Sequence, residues 1–188
     1  MKALICSNEI MSYDEVLRRA LVALAKRAGT LIRTEELKRQ ALSASVLRPL
    51  AEALLAEVEE LLKNIPDYEQ AIRSSTERAI KEGRPIVETL VQDMLMKFIE
   101  SLPLALVGTF ERAKSVVARM NNVVNSVNKI IEDISREGIS VPKLELINLT
   151  KDDPLTLSVT LKIGKQRLLT IIDFLKELEK YGEEARSP

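Results

Sequence analysis

Through most of the chain apolar residues recur three and four apart, the spacing of one helical face, and the rhythm changes only in the C-terminal quarter. Val16, Leu17, Ala20, Leu21, Leu24 and Ala28 share a face in a helix predicted from Asp14 to Ala28, with Arg18, Arg19, Lys26 and Arg27 on the other side. Ser12 and Glu15 form a capping box at its start, and Gly29 supplies a left-handed stop. A short helix is expected from Thr34, with Glu35 and Glu36 in the first turn, where the helix dipole favours acids. The next is predicted from Ser45 or Pro49 to about Lys63, with Leu50, Leu54, Leu55, Val58, Leu61 and Leu62 as its stripe. Proline is tolerated at such a start because first-turn amides have no helical partner. Residues 67–82 read as a more polar helix closed by Gly83, with Pro85 just beyond. Ile86 to Leu102 is dense in apolar residues, the pattern of a central helix, and Pro103 must break or kink it.

The strongest pattern runs from about Thr109 to Arg136. Ala113, Val117, Met120, Val124, Val127, Ile131 and Ile134 alternate four and three apart, and Val116, Val123 and Ile130 widen the stripe. That width predicts a bundle helix touching two neighbours. Asn121, Asn122, Asn125 and Asn128 flank it despite poor helix propensity. Internal core is the first reading of this face. Val116, Val123, Asn121, Asn125, Asn128 and Ile130 are the candidate interface, in which the amides would hydrogen-bond across a partner.

At Gly138 the period changes to two. Leu155, Leu157, Val159, Leu161 and Ile163 alternate with Thr156, Ser158, Thr160 and Lys162, which predicts a half-buried strand. Lys143 to Leu149 reads as a second strand, and Lys151-Asp152-Asp153-Pro154 as the turn of a hairpin. An amphipathic helix from Gln166 to Tyr181 would cover the hairpin, and residues 2–6 would be a third strand. The expected fold is therefore mainly α: a helical bundle of five or six helices over 1–137, then a small C-terminal β-hairpin–helix (α+β) unit over 139–182 and a loose tail over 183–188.

Composition narrows the function. The 28 basic and 28 acidic residues cancel, but residues 1–50 hold nine Lys/Arg against five Asp/Glu, and residues 51–104 hold six against eleven. A uniformly basic nucleic-acid binder is not expected, while a basic N-terminal patch remains open. Abundant Glu, Lys and Arg with little Gln is a bias shared with thermophilic proteins. The chain has no histidine and one cysteine, Cys6, which removes Ser-His-Asp and Cys-His catalysis, histidine-ligated metals and intrachain disulfides. Neither GxxxxGK nor GxGxxG occurs. Glu57, Glu59 and Glu60 read as a solvated helix face, Asp152 and Asp153 as turn residues, and Cys6 as a small buried hydrophobe. No catalytic residue, metal site or cofactor is assigned. The opening Met-Lys-Ala-Leu-Ile-Cys-Ser is too short for a signal-peptide core, and Leu102–Val107 is far below the ~20 residues of a membrane helix. A cytoplasmic protein without a membrane contact is expected.

Two resemblances point to binding. Thr34 to Arg48, Thr-Glu-Glu-Leu-Lys-Arg-Gln-Ala-Leu-Ser-Ala-Ser-Val-Leu-Arg, resembles the second and third helices of helix-turn-helix proteins. The resemblance implies that Arg39, Ser43, Ser45 and Arg48 face DNA, with Arg18 and Arg19 near phosphates; the alternative is an ordinary helical corner. The layout also looks like that of GINS replication subunits, through Val91 to Leu106 and the tail from Leu161-Lys-Ile-Gly. That likeness implies a non-catalytic assembly scaffold with a small β-containing C-terminal domain. The leading expectation is a non-enzymatic protein–protein interaction or scaffold subunit whose partners are other subunits or further copies of itself. DNA binding through residues 14–62 is the alternative.

Overall fold

The computed structural model describes residues 13–31, 34–65, 68–100, 105–135, 143–149 and 154–184. They form six helices: α1 (Tyr13–Leu31), α2 (Thr34–Lys63), α3 (Tyr68–Glu82), α4 (Ile86–Glu100), α5 (Ala105–Ser135) and α6 (Pro154–Glu184). The mainly helical bundle is as expected, and no strand occurs among the described residues. The expected strand at 2–6, Ser12, Cys6 and the Asp152-Asp153 turn lie outside the described residues.

The core is built by α1, α2, α5 and α6, with α6 at its centre: it packs most extensively on α2, then on α1, and touches α5. Side-chain pairs fix the directions. Arg18 meets Asp173 and Gly29 meets Tyr181, so α1 runs parallel to α6. Arg48 meets Glu179 while Lys165 meets Glu59, so α2 runs antiparallel to α6. Gln40 reaches Asp133 and Arg112 reaches Glu57, so α2 is antiparallel to α5 as well. Consequently α5 and α6 are parallel, and the chain between them must return along the bundle.

Aliphatic side chains fill the interior: Leu17, Leu21 and Leu24 from α1, Leu54, Val58 and Leu61 from α2, Leu168, Ile171, Phe174 and Leu175 from α6. On α5 both the Ala113–Ile134 heptad positions and Val116, Val123 and Ile130 are buried. The wide stripe is thus satisfied inside the chain, between α2 and α6.

Four sequence expectations need correction. First, α2 is continuous from Thr34 to Lys63, with Pro49 inside it. One lost backbone hydrogen bond does not end a helix whose Ala44, Ala51, Leu54 and Val58 are buried in tertiary contacts. The separate start at Ser45 or Pro49 is not formed. Second, α1 passes through Gly29. This glycine and Gly182 serve close approach: a Cβ on Gly29 would lie 2.8 Å from the Tyr181 ring, and one on Gly182 would collide with the Ala41 methyl. Third, α4 is not central. Ile86, Val87, Val91, Leu95 and Met96 are exposed, and α4 packs chiefly on α3.

Fourth, the C-terminal β-hairpin is not formed, and residues 155–163 are the start of α6. In a helix, positions two apart lie 200° apart, so alternating apolar residues divide between opposite sides. Leu157 and Leu161 turn inward beside buried Ser158 and Thr160, while Leu155, Val159 and Ile163 are exposed. The hydroxyl residues are small enough to complete the inner face. Position-by-position alternation therefore described a helix whose inner side mixes leucine with serine and threonine.

The α2–α6 contact gives a stability prediction. Gly182→Ala forces the new methyl onto Ala41, an overpacking that should cost about 1–3 kcal/mol, read as a lowered midpoint in chemical denaturation.

Candidate interaction surfaces

Between α5 and α6 lies a segment without helix or strand, residues 143–149, that belongs to neither. Such a chain beside helices cannot satisfy its own amides and carbonyls. Two asparagines of α5 do so. Asn128 accepts a hydrogen bond from the Leu144 amide at 2.8 Å and donates to the Leu144 carbonyl at 2.9 Å. Asn121 makes the same pair with Ile147, at 2.8 and 2.9 Å. Arg167 of α6 donates to the Glu145 carbonyl at 2.8 Å, and Lys143 pairs with Glu132.

The spacing explains the match. Seven residues of helix rise about 10.5 Å, and three residues of extended, threefold chain cover about 9–10 Å. Leu144 and Ile147 are the buried residues of the segment, and Leu146 is exposed. Strand periodicity would have buried 144 with 146; the observed repeat is three. The strand expected at 143–149 is therefore not formed. Of the asparagines expected at a partner interface, Asn121 and Asn128 thus bond within the chain, whereas Asn125 is exposed, as is the neighbouring Asn122. The signal available in the sequence was the heptad spacing of two amides beside a long apolar stripe.

The residues expected to face DNA are mostly occupied. Arg18 binds Asp173 and Glu15, and Arg19 binds Glu15. Arg39 binds Glu36 and approaches Asp133, and Arg48 is held by Glu179 and Glu52. Hydrogen bonding to Glu36 and to Glu179, respectively, raises the Arg39 and Arg48 pKa above the usual guanidinium value. The Ser43 hydroxyl bonds the Arg39 carbonyl and the Ser45 hydroxyl the Leu42 carbonyl. Because α2 is unbroken, the corner on which the helix-turn-helix resemblance rests is absent.

The glutamates expected to be solvated form a polar seam across three helices. Glu57 pairs with Arg112 and Arg119, Glu60 with Arg112, and Glu59 with Lys165. The hydrogen bond from Lys165 holds the Glu59 carboxyl below the ordinary range. Among the described residues no group of His, Cys, Asp and Glu is arranged to hold a metal ion, and no helix is long and apolar enough to cross a membrane.

The α3–α4 hairpin projects from this frame. Gly83 closes α3 in the left-handed region (φ 63°), its amide bonding the Ile80 carbonyl and that of Arg84 the Ala79 carbonyl, a Schellman cap. Small buried residues, Ala71, Ser75 and Ala79, let the two helices approach. Asp93 of α4 locks them by accepting from Ser75 at 2.6 Å and from Arg78. The outer side of α4 is different: Val87, Val91 and Leu95, spaced i, i+4, i+8, are 72%, 59% and 57% exposed. A similar ridge, Leu42, Val46 and Leu50, stands on α2 beside the α2–α5 groove.

Compared with known proteins, the chain matches no family model, no curated protein and no solved structure.

Asn121→Ala or Asn128→Ala leaves a buried amide and carbonyl without partners and should cost about 1–3 kcal/mol in chemical denaturation. Asn122→Ala and Asn125→Ala, at exposed positions, should stay within about 0.5 kcal/mol of wild type. The Asp93 carboxyl is held below its ordinary value, first by the Ser75 hydroxyl and then by Arg78. Its stabilising effect is complete above the unfolded value of about 4 and is lost as pH falls through the lower folded value. The difference in thermal stability between wild type and Asp93→Asn should therefore shrink below about pH 4.

Proposed function

We propose that this chain is a non-enzymatic interaction subunit that presents the outer face of α4 to another protein. The observation that supports the reading is the Val87–Val91–Leu95 ridge. Three aliphatic side chains on one line, each more than half exposed, form a patch on the order of 300 Å² whose burial against another protein would be favourable. The helix bearing them is held from behind by the Asp93 lock and a small-residue seam with α3. Rigid backing of this kind lowers the entropy lost on docking.

The scaffold role implied by the GINS likeness is compatible with this reading, although the small β-containing C-terminal unit of that layout is replaced by α6 among the described residues. DNA recognition has less support, since the arginines it needs carry carboxylate partners.

Val91→Asp tests the proposal. The position is exposed, so the variant should fold with a thermal midpoint close to wild type. In affinity capture of the full chain from its own cell extract, wild type should retain stoichiometric proteins that survive nuclease, and Val91→Asp should lose them. An identical set of other proteins with both forms would reject the docking of other proteins on α4.

A further inference from the structure

Resting on the reading of α4 as a docking face, we infer that its occupant is a second copy of this chain, with α4 of each copy lying in the α2–α5 groove of the other. The groove has a volume of about 560 Å³ and is lined by Ser43, Val46 and Leu47 of α2 and by Ser126, Lys129 and Ile130 of α5. Leu42 and Val46 stand on its α2 wall and Leu50 continues their ridge one turn beyond it; the three are 60%, 62% and 53% exposed.

Three properties fit the two surfaces to one another. Both ridges follow i, i+4, i+8 and extend about 12 Å along their helices, so each can enter the furrow beside the other in the common i±4 packing of helices. Their charges are complementary: Glu88, one residue from Val87 on the flank of the α4 ridge, and Lys129 in the groove are both exposed and make no ion pair among the described residues. Most other charged groups near the groove are already satisfied, Arg39 by Glu36 for example. The third property is area. Two different patches on one chain pair between copies either reciprocally, closing a two-fold dimer, or head to tail without closure. One contact covers two ridges of about 300 Å² each, below what a stable interface buries. The reciprocal arrangement covers four, on the order of 1,200 Å², at the lower end of the stable range. Closure is therefore the form in which these ridges can hold a dimer.

The test uses the full chain with Cys6→Ser, so that introduced thiols stand alone. Forms carrying Val46→Cys or Val91→Cys are mixed and oxidised, and the disulfides are mapped, while sedimentation equilibrium gives the mass of the unmodified chain. The expected result is twice the chain mass and a preponderance of the mixed 46–91 disulfide over 46–46 and 91–91. Glu88→Lys should weaken the dimer by about fivefold, and Glu88→Lys combined with Lys129→Glu should restore it, which a merely structural defect would not do. A monomer, or a dimer that links 91 to 91, would overturn the inference. If the purified chain is monomeric while Val91→Asp still loses partners in capture, self-pairing fails and the interaction reading stands. If a 46–91 dimer forms but Val91→Asp captures the same proteins as wild type, docking of other proteins on α4 fails and self-pairing stands.

Discussion

Backbone polar groups that enter a protein interior need partners, and in this bundle that requirement falls hardest on the link between α5 and α6. The two helices are parallel, so the chain leaving one end must travel back to the other before α6 can begin. It returns along the groove between them, with Leu144 and Ile147 buried, where water cannot serve its amides and carbonyls. Asn121 and Asn128 supply a donor and an acceptor each, the combination that a carboxamide offers side by side from one planar group. The position of α6, and through it the packing of α1 and α2, depends on that return path.

Much of the fold was legible because packing and local sequence agree. The wide α5 stripe, the polar α3 and the Gly83 stop appear as the sequence reads them, since each rests on a strong local pattern. What was not legible depended on neighbours. Leu155 to Ile163 alternates as a strand does, and the burial of Leu157 and Leu161 in the bundle makes a helix of it. Pro49 looks like a helix start until the contacts of Ala44 and Ala51 carry the helix across it. The apolar run at 86–96 looks like core because composition does not say which face has a neighbour.

The surfaces follow the same logic. Arginines counted as free cations in the sequence lie within reach of carboxylates more than 80 residues away, as Arg39 does with Asp133 and Arg48 with Glu179, and their charge is largely spent inside the molecule. Asparagines read as a partner surface are divided by helical position: Asn121 and Asn128 bond inward, and Asn122 and Asn125 remain outside. In each case residue type gave the chemistry, and three-dimensional placement decided its object. The exposed ridges of α2 and α4 are the reverse case, since aliphatic residues that sequence would place inside are more than half exposed among the described residues.

The central place of α6 has a consequence for synthesis. A ribosome releases α1, α2 and α5 before α6, yet the leucines of α1 and α2 are completed chiefly by α6, at separations such as the 155 residues between Arg18 and Asp173. The nascent chain therefore carries open apolar faces until its last long helix emerges, and most of its folding waits for contacts that span nearly the whole sequence. The order of the helices along the chain is thus not the order of their packing, and α1 and α2 gain their main partner only when α6 is present.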